Sequence, residues 1–323
     1  MKKLLSYLLF LQIGIQRNAK TGDALNFVTG ELKRLIRRFR HRNSVNLLRR
    51  KFNSATYADY INDECPEKLQ NVVIFSLCYG EAVPEQKLSI KSFLRYVGTP
   101  AKWTIVSDGS ITIDQKDSLR SLHPSIDIRD WSEFLCEENA CCFEELSKYT
   151  VFAKKFALMS NLPDQGAVVY IDTDILFFEG AHHLRDLLKH LGKNCYYLTD
   201  TPECLDPTFL EGAELKVPPL NAGFVIQGKK IDWSEPIARI NKTLAQLSPV
   251  QKMGDLGVIE QSATHLAHFL AGSKPLNEKY VLEISDILDP EDRFSGPSFA
   301  MRHYVRPVRH KMWMHSTEYL RNT

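Results

Sequence analysis

The sequence has no CxxC pair, no internal repeat, no low-complexity linker and no large excess of charge of either sign. Each absence removes a class of protein. The seven cysteines, among them isolated Cys65 and Cys78 and adjacent Cys141 and Cys142, follow neither metal-binding nor disulfide spacing. They are read as reduced thiols of a cytosolic protein rather than as the framework of a secreted one. A formal net charge of +2 over 323 residues lacks the strongly basic character of a dedicated nucleic-acid binder, so no nucleic-acid partner is expected. Long hydrophobic runs are missing too. The opening stretch "MKKLLSYLLFLQIGIQ" is too short for a transmembrane helix, and polar "QRNAKTG" follows it instead of a small-residue cleavage site.

Basic charge is instead concentrated locally. Over residues 25–39, Leu25, Val28, Leu32, Leu35, Ile36 and Phe39 recur at helical spacing. Lys33, Arg34, Arg37, Arg38, Arg40 and Arg42 lie between and just beyond them, and Arg49, Arg50 and Lys51 follow. This predicts a basic amphipathic helix or helix pair. Two readings carry equal weight: contact with anionic lipid through residues 20–51, or a packed helix with a solvated charged face. The expected partition is an N-terminal basic helical arm, 1–66, and a catalytic domain, 67–323, cytoplasmic or peripheral on a membrane.

Beyond Pro66, strand and helix patterns alternate: a strand over 71–77, a helix over 85–96, a strand ending at Asp108, a helix over 116–122, a strand over 126–128 and a long helix over 146–160. That alternation predicts an α/β fold with a mostly parallel sheet flanked by helices. Next comes "VVYIDTDILFF", in which Asp172 and Asp174 sit one residue apart inside an otherwise apolar strand pattern. Residues two apart on a strand point the same way, so the two carboxylates are expected side by side, and burying them unpaired would cost several kcal/mol in order-of-magnitude terms. A cation, a shared proton or water at the strand end must compensate. Carboxylate oxygens suit Mg2+ or Mn2+, and an added imidazole favours Mn2+. Further on, "NCYYLTD" and "NAGFVIQG" read as strands and "DLGVIEQSATHLAHFLA" as a turn leading into a helix. The tail "MRHYVRPVRHKMWMHSTEYL" crowds His303, His310 and His315 with Arg302, Arg306, Arg309 and Lys311.

Four of these segments, "VVIFSLCYG", "YIDTDILFF", "LNAGFVIQ" and "HYVRPVR", together resemble the GT-A-fold glycosyltransferases, and among them the glycogenin-like family 8 group. The resemblance spans residues 71–313 and implies a metal-dependent enzyme moving a sugar from a nucleoside-diphosphate donor, UDP-linked by the family's habit, to an acceptor hydroxyl with retention. It implies Mn2+, with Mg2+ as the alternative, held by Asp172, Asp174 and His303. Donor contacts would come from Ser76, Asp108, Asp172, Asn221, Gly223 and Arg309, with Asn221 and Gly223 along the sugar. Gln261 and Glu260 would stand at the transferred sugar as catalytic residues, and Lys154 or Lys155 would match a basic residue touching the donor. The acceptor would be a glycan, a lipid-linked glycan or a protein. Two positions depart from the pattern: Arg306 stands where the family has glycine, and Arg309 replaces a lysine.

Residue by residue, alternatives stay open. His310 or His315 could be the imidazole ligand, and an inverting enzyme could use Glu260 or Asp255 as its carboxylate base. A haloacid-dehalogenase-like phosphatase with Asp172 as nucleophile also places D-x-D after an apolar strand. A non-enzymatic membrane-surface protein acting through the basic arm is the third reading.

Overall fold

The computed structural model describes residues 65–135, 140–150, 152–213, 215–246, 258–285 and 293–319. The N-terminal basic arm and Asp255 lie outside the described residues.

A seven-stranded sheet forms the centre of the molecule. Its strands, in chain order, are β1 (Lys68–Cys78), β2 (Thr99–Ser107), β3 (Ile126–Asp130), β4 (Ala167–Ile171), β6 (Cys195–Thr199), β7 (Leu220–Gln227) and β8 (Lys274–Pro275). Their spatial order is β3-β2-β1-β4-β7-β6-β8. The first four run parallel, and β7 pairs antiparallel with both β4 and β6. A second, three-stranded sheet is made by β5 (Ile175–Phe177), β9 (Tyr280–Leu282) and β10 (Met301–His303), in the order β5-β10-β9.

Helices α1 (Val83–Tyr96), α2 (Ile113–Arg120), α3 (Ala140–Ser147), α4 (Ala153–Ser160), α5 (His182–Lys189), α6 (Ser234–Gln246), α7 (Ile259–Leu270) and α8 (Arg309–Tyr319) surround the sheets. The large sheet is buried on both faces, which is why its strands read as near-continuous apolar runs. Along β4, Val169 and Ile171 enter one core cluster while Val168 and Tyr170 enter another on the opposite face. Phe93 of α1 meets Trp103 of β2 and Phe177 of β5 edge to face, with ring centroids 5.3 and 5.1 Å apart, and so joins the two sheets through one helix. Such aromatic pairs add about 0.5–1.5 kcal/mol each beyond their buried area.

The expected α/β architecture with a mostly parallel sheet is observed, with two corrections. The long helix expected over 146–160 is two helices, α3 and α4. Past Leu146 the chain closes tight turns, Lys148 N to Glu145 O and Tyr149 N to Leu146 O, and the Thr150 hydroxyl then accepts from Phe152 N at the start of the next helix. The other correction concerns the aspartates, which are not within one strand. Strand β4 stops at Ile171, a turn carries Asp172, Thr173 and Asp174, and β5 then joins the other sheet.

The chain places β2 and β3 on one side of β1 and β4 on the other, so the order reverses at β1 and β4. Ligands of open α/β sheets gather at the carboxyl ends of strands at such a switch point. Tyr79 follows β1 there, and Asp172 follows β4.

Candidate active site

Asp172 and Asp174 are anchored to different sheets. The Asp172 N–H donates to Gly223 O at 2.8 Å, prolonging the β4–β7 ladder, whereas Asp174 O accepts from Tyr304 N at 2.8 Å beside β10. The turn between them brings both carboxylates onto His303, the last residue of β10. One ligand atom from each of Asp172, Asp174 and His303 lies within 4.8 Å of the others. His303 Nε2 is 3.1 Å from Asp174 Oδ1 and 3.8 Å from Asp172 Oδ2. His303 is thus the imidazole of the cluster. His315 is buried against the Tyr304 hydroxyl instead.

The tautomer of His303 follows from its other neighbour. Asn221 Nδ2 donates to Asp200 Oδ2 at 2.7 Å, and Asn221 Oδ1 accepts from Gly223 N at 2.8 Å, which fixes the amide orientation. The same Oδ1 is 2.9 Å from His303 Nδ1, so Nδ1 carries the proton. That leaves Nε2 facing the two carboxylates. Two carboxylates and an imidazole nitrogen converging in this way can hold a hard or borderline dication, with the outer nitrogen oriented as metal-binding imidazoles require. Gly223 is needed for the same contact: a Cβ there would run into His303 Cε1.

Three of the four carboxylate oxygens also meet a donor or cation from elsewhere. Asp172 Oδ1 accepts from Tyr170 OH at 2.7 Å and Oδ2 from Lys155 Nζ at 3.0 Å. The same ammonium lies 5.0 Å from the centre of the Tyr170 ring. Burial, reinforced by the Asp172 charge, pushes the Tyr170 phenol well above its ordinary value, so it is a neutral donor. For Lys155, burial works against the charge but Asp172 and Glu260 outweigh it and raise the amine. Arg309, first residue of α8, places Nε 3.1 Å from Asp174 Oδ2, its Nη2 on the same oxygen, and Nη1 3.3 Å from Tyr79 OH. Burial opposes the Asp174 charge, yet Arg309 and His303 together hold its carboxyl well below the usual carboxylate range.

Beside this cluster, α7 supplies Glu260 and Gln261. Gln261 Nε2 donates to Asp200 Oδ2 at 3.0 Å, so Asp200 joins Asn221 and Gln261. Glu260 is buried, and burial pushes its carboxyl up to about 7, against the pull of Lys155 and with the Asp172 charge adding to the rise. At neutral pH it can hold or release a proton.

The sequence-predicted residues are therefore distributed unevenly. Asp172, Asp174, His303 and Arg309 converge. Asn221 and Gly223, expected along the sugar, meet the His303 ring. Asp108 sits just past β2, where its Oδ1 accepts from Ser110 N at 2.9 Å and its carbonyl from Lys154, whose ammonium lies over the Trp131 ring. Ser76, expected at the donor, is fully buried and its hydroxyl accepts from the Trp103 indole at 3.1 Å, so it belongs to the core rather than to the cleft. Asp200 and Tyr170 were not singled out from the sequence. Asp200 carried the signal that marks Asp172, an acidic residue directly after a strand, whereas nothing about Tyr170 distinguishes it from a core tyrosine.

No family model and no curated protein sequence matches the chain. Among solved structures, the galactosyltransferase LgtC in complex with donor and acceptor sugar analogs matches with a TM-score of 0.50 at 14% identity, over 77% of this chain and 95% of that one. The chain has a GT-A fold. Mouse xyloside xylosyltransferase 1 also matches, at a TM-score of 0.48 and 10% identity, over 75% of this chain and 99% of that one. In the GT-A frame, the Asp172, Asp174 and His303 cluster lies at the carboxyl end of the central strands, at the β1–β4 switch point.

Proposed function

We propose that the protein is a metal-dependent glycosyltransferase that moves a sugar from a nucleoside-diphosphate donor, with UDP as the expected leaving group, to an acceptor hydroxyl. The observation that carries this reading is the convergence, on a GT-A sheet, of two carboxylates and an imidazole whose Nε2 faces them. Asp172, Asp174 and His303 would hold Mn2+, with Mg2+ as the alternative, and the bound ion would supply positive charge to the diphosphate oxygens as the sugar–phosphate bond breaks.

The chain's own groups do the rest. Tyr170 and Lys155 hold Asp172 in one orientation. Arg309 offers a guanidinium fork to the departing phosphate oxygens, a geometry suited to bidentate contact. Asp200, Asn221 and Gln261 present a linked set of polar groups next to the cluster, and Glu260 with Gln261 would be the catalytic pair at the transferred sugar. Retention is the outcome that the family resemblance implies. The acceptor class, whether glycan, lipid-linked glycan or protein, is set by surfaces outside this cluster.

A phosphatase using Asp172 as nucleophile fits less well, because the chain has a GT-A fold. Among the described residues no helix is long and apolar enough to cross a membrane. A surface contact through residues 20–51 remains part of the proposal, tested by flotation with anionic liposomes with and without that segment.

The decisive test of the reaction is a panel of nucleotide sugars with Mn2+, read as nucleotide release by the wild type and by Asp174→Asn. Release from one donor that disappears in the variant supports the proposal. Release of phosphate from a simple monoester, with no response to any nucleotide sugar, overturns it.

A further inference from the structure

We infer that Arg309 is a displaceable counter-ion of the carboxylate pair, so that the dication and the nucleoside diphosphate enter the site as a coupled pair. The inference rests on the transferase reading and concerns binding, not the reaction itself.

The argument begins with charge. Asp172 and Asp174 carry two negative charges, and Lys155 and Arg309 carry two positive ones within hydrogen-bond distance of them. The cluster is already balanced. Glu260, partly protonated near neutral pH, adds at most a fraction of a negative charge. A dication entering alone would leave a half-buried cluster with a surplus of about two positive charges, which a low-dielectric site disfavours. A diphosphate entering with it restores the balance.

Geometry decides which cation yields. The Lys155 side chain is only 9% exposed and packs against the Tyr170 ring as well as Asp172. The Arg309 side chain is 22% exposed and sits at the first position of α8, directly after the short 3-10 turn Arg306–Val308. Its Nη1 already reaches the Tyr79 hydroxyl past the end of β1, so the guanidinium spans the gap between that strand end and Asp174. Turning away from the Asp174 carboxylate would free its fork for phosphate oxygens. Guanidinium binds carboxylate and phosphate in the same bidentate manner, so the exchange conserves its hydrogen bonds. Nε and Nη2 both lie on Asp174 Oδ2, so one fork cannot serve carboxylate and diphosphate together.

The experiment is isothermal titration of Mn2+ into the full chain, with and without UDP, for the wild type, Arg309→Gln and Arg309→Lys. The wild type should bind Mn2+ roughly tenfold or more tightly with UDP present, a coupling within the usual range for linked sites. Arg309→Gln should bind Mn2+ alone roughly five- to tenfold more tightly than the wild type, and UDP should then add several-fold less. Arg309→Lys, which keeps the charge and loses the fork, should shift in the same direction by less, and circular dichroism checks that both variants are folded. If both variants bind Mn2+ alone no more tightly than the wild type, while UDP still strengthens Mn2+ binding, the counter-ion role is overturned and the transferase reading stands. If no form takes up Mn2+ with or without UDP, the metal-dependent reading falls and this inference with it.

Discussion

The two sheets divide the site between them, and they are built in different ways. Asp172 closes a strand of the seven-stranded sheet, whose long apolar strands are buried on both faces and specify their own pairing. Asp174 opens the three-stranded sheet, whose strands are three residues each and come from positions 175, 280 and 301 onward. That small sheet carries His303 and leads into Arg309. The fixed half of the site is thus local and rigid, and the half that meets phosphate is assembled from distant, short segments. Stability is concentrated in the first and ligand response in the second.

Substitutions that separate these roles sharpen the comparison. Asp174→Asn, in the small-sheet half, should lower kcat/KM on the order of a thousandfold with little change in far-UV circular dichroism, because it removes a metal oxygen and its charge. Activity within tenfold of the wild type would break the division. In the large sheet, Ile105→Ala should cost about 2–5 kcal/mol of stability by urea denaturation, the usual range for a fully buried position. Mn2+–UDP affinity of the folded fraction should stay the same, and a parallel loss would mean that the sheets are not separable.

Gly223→Ala tests the seam between them. The added methyl must push His303 away, so Mn2+ affinity with UDP should fall about 10- to 100-fold, a size seen when groups supporting metal ligands are disturbed. The melting temperature should move far less than in Ile105→Ala. A variant with unaltered Mn2+ affinity would remove His303 from the ligand set.

The smallest effect is a pH signature. The Glu260 carboxyl is raised from an ordinary 4.5 to about 7 by burial, so its contribution to stability is fully present below about pH 4.5 and is lost as pH rises toward 7. Glu260→Gln has no such loss. Its stability relative to the wild type should therefore increase by about 2 kcal/mol between pH 5 and pH 8, read by denaturant titration at both values. A gap independent of pH would show that Glu260 ionises normally.

How much of this was legible in the sequence follows the same division. The large sheet announced itself because apolar runs such as "VVIFSLC" and "AVVYI" are local signals, and the acidic residues at its strand ends follow a positional rule. The small sheet was not legible, since three-residue strands joined across more than a hundred positions leave no periodicity to read. Hence Asp172 and Asp174 were expected on one strand although each belongs to a different sheet. His303 was reached through a motif resemblance rather than from its setting. The supporting roles of Asn221 and Gly223 needed three-dimensional packing, because the His303 ring they meet lies far away in the chain. The split of 146–160 into two helices coincides with turn hydrogen bonds at Lys148, Tyr149 and Thr150, a signal that apolar periodicity does not contain.

The most direct test of the central claim is Mn2+ uptake in the presence of UDP, measured by calorimetry on the wild type, Asp174→Asn and His303→Ala, each verified as folded. The account predicts one Mn2+ per chain in the wild type and a loss of at least about tenfold in affinity in both variants. Wild-type protein that takes up no Mn2+ with UDP, or a His303→Ala variant that binds it as tightly as the wild type, would contradict it.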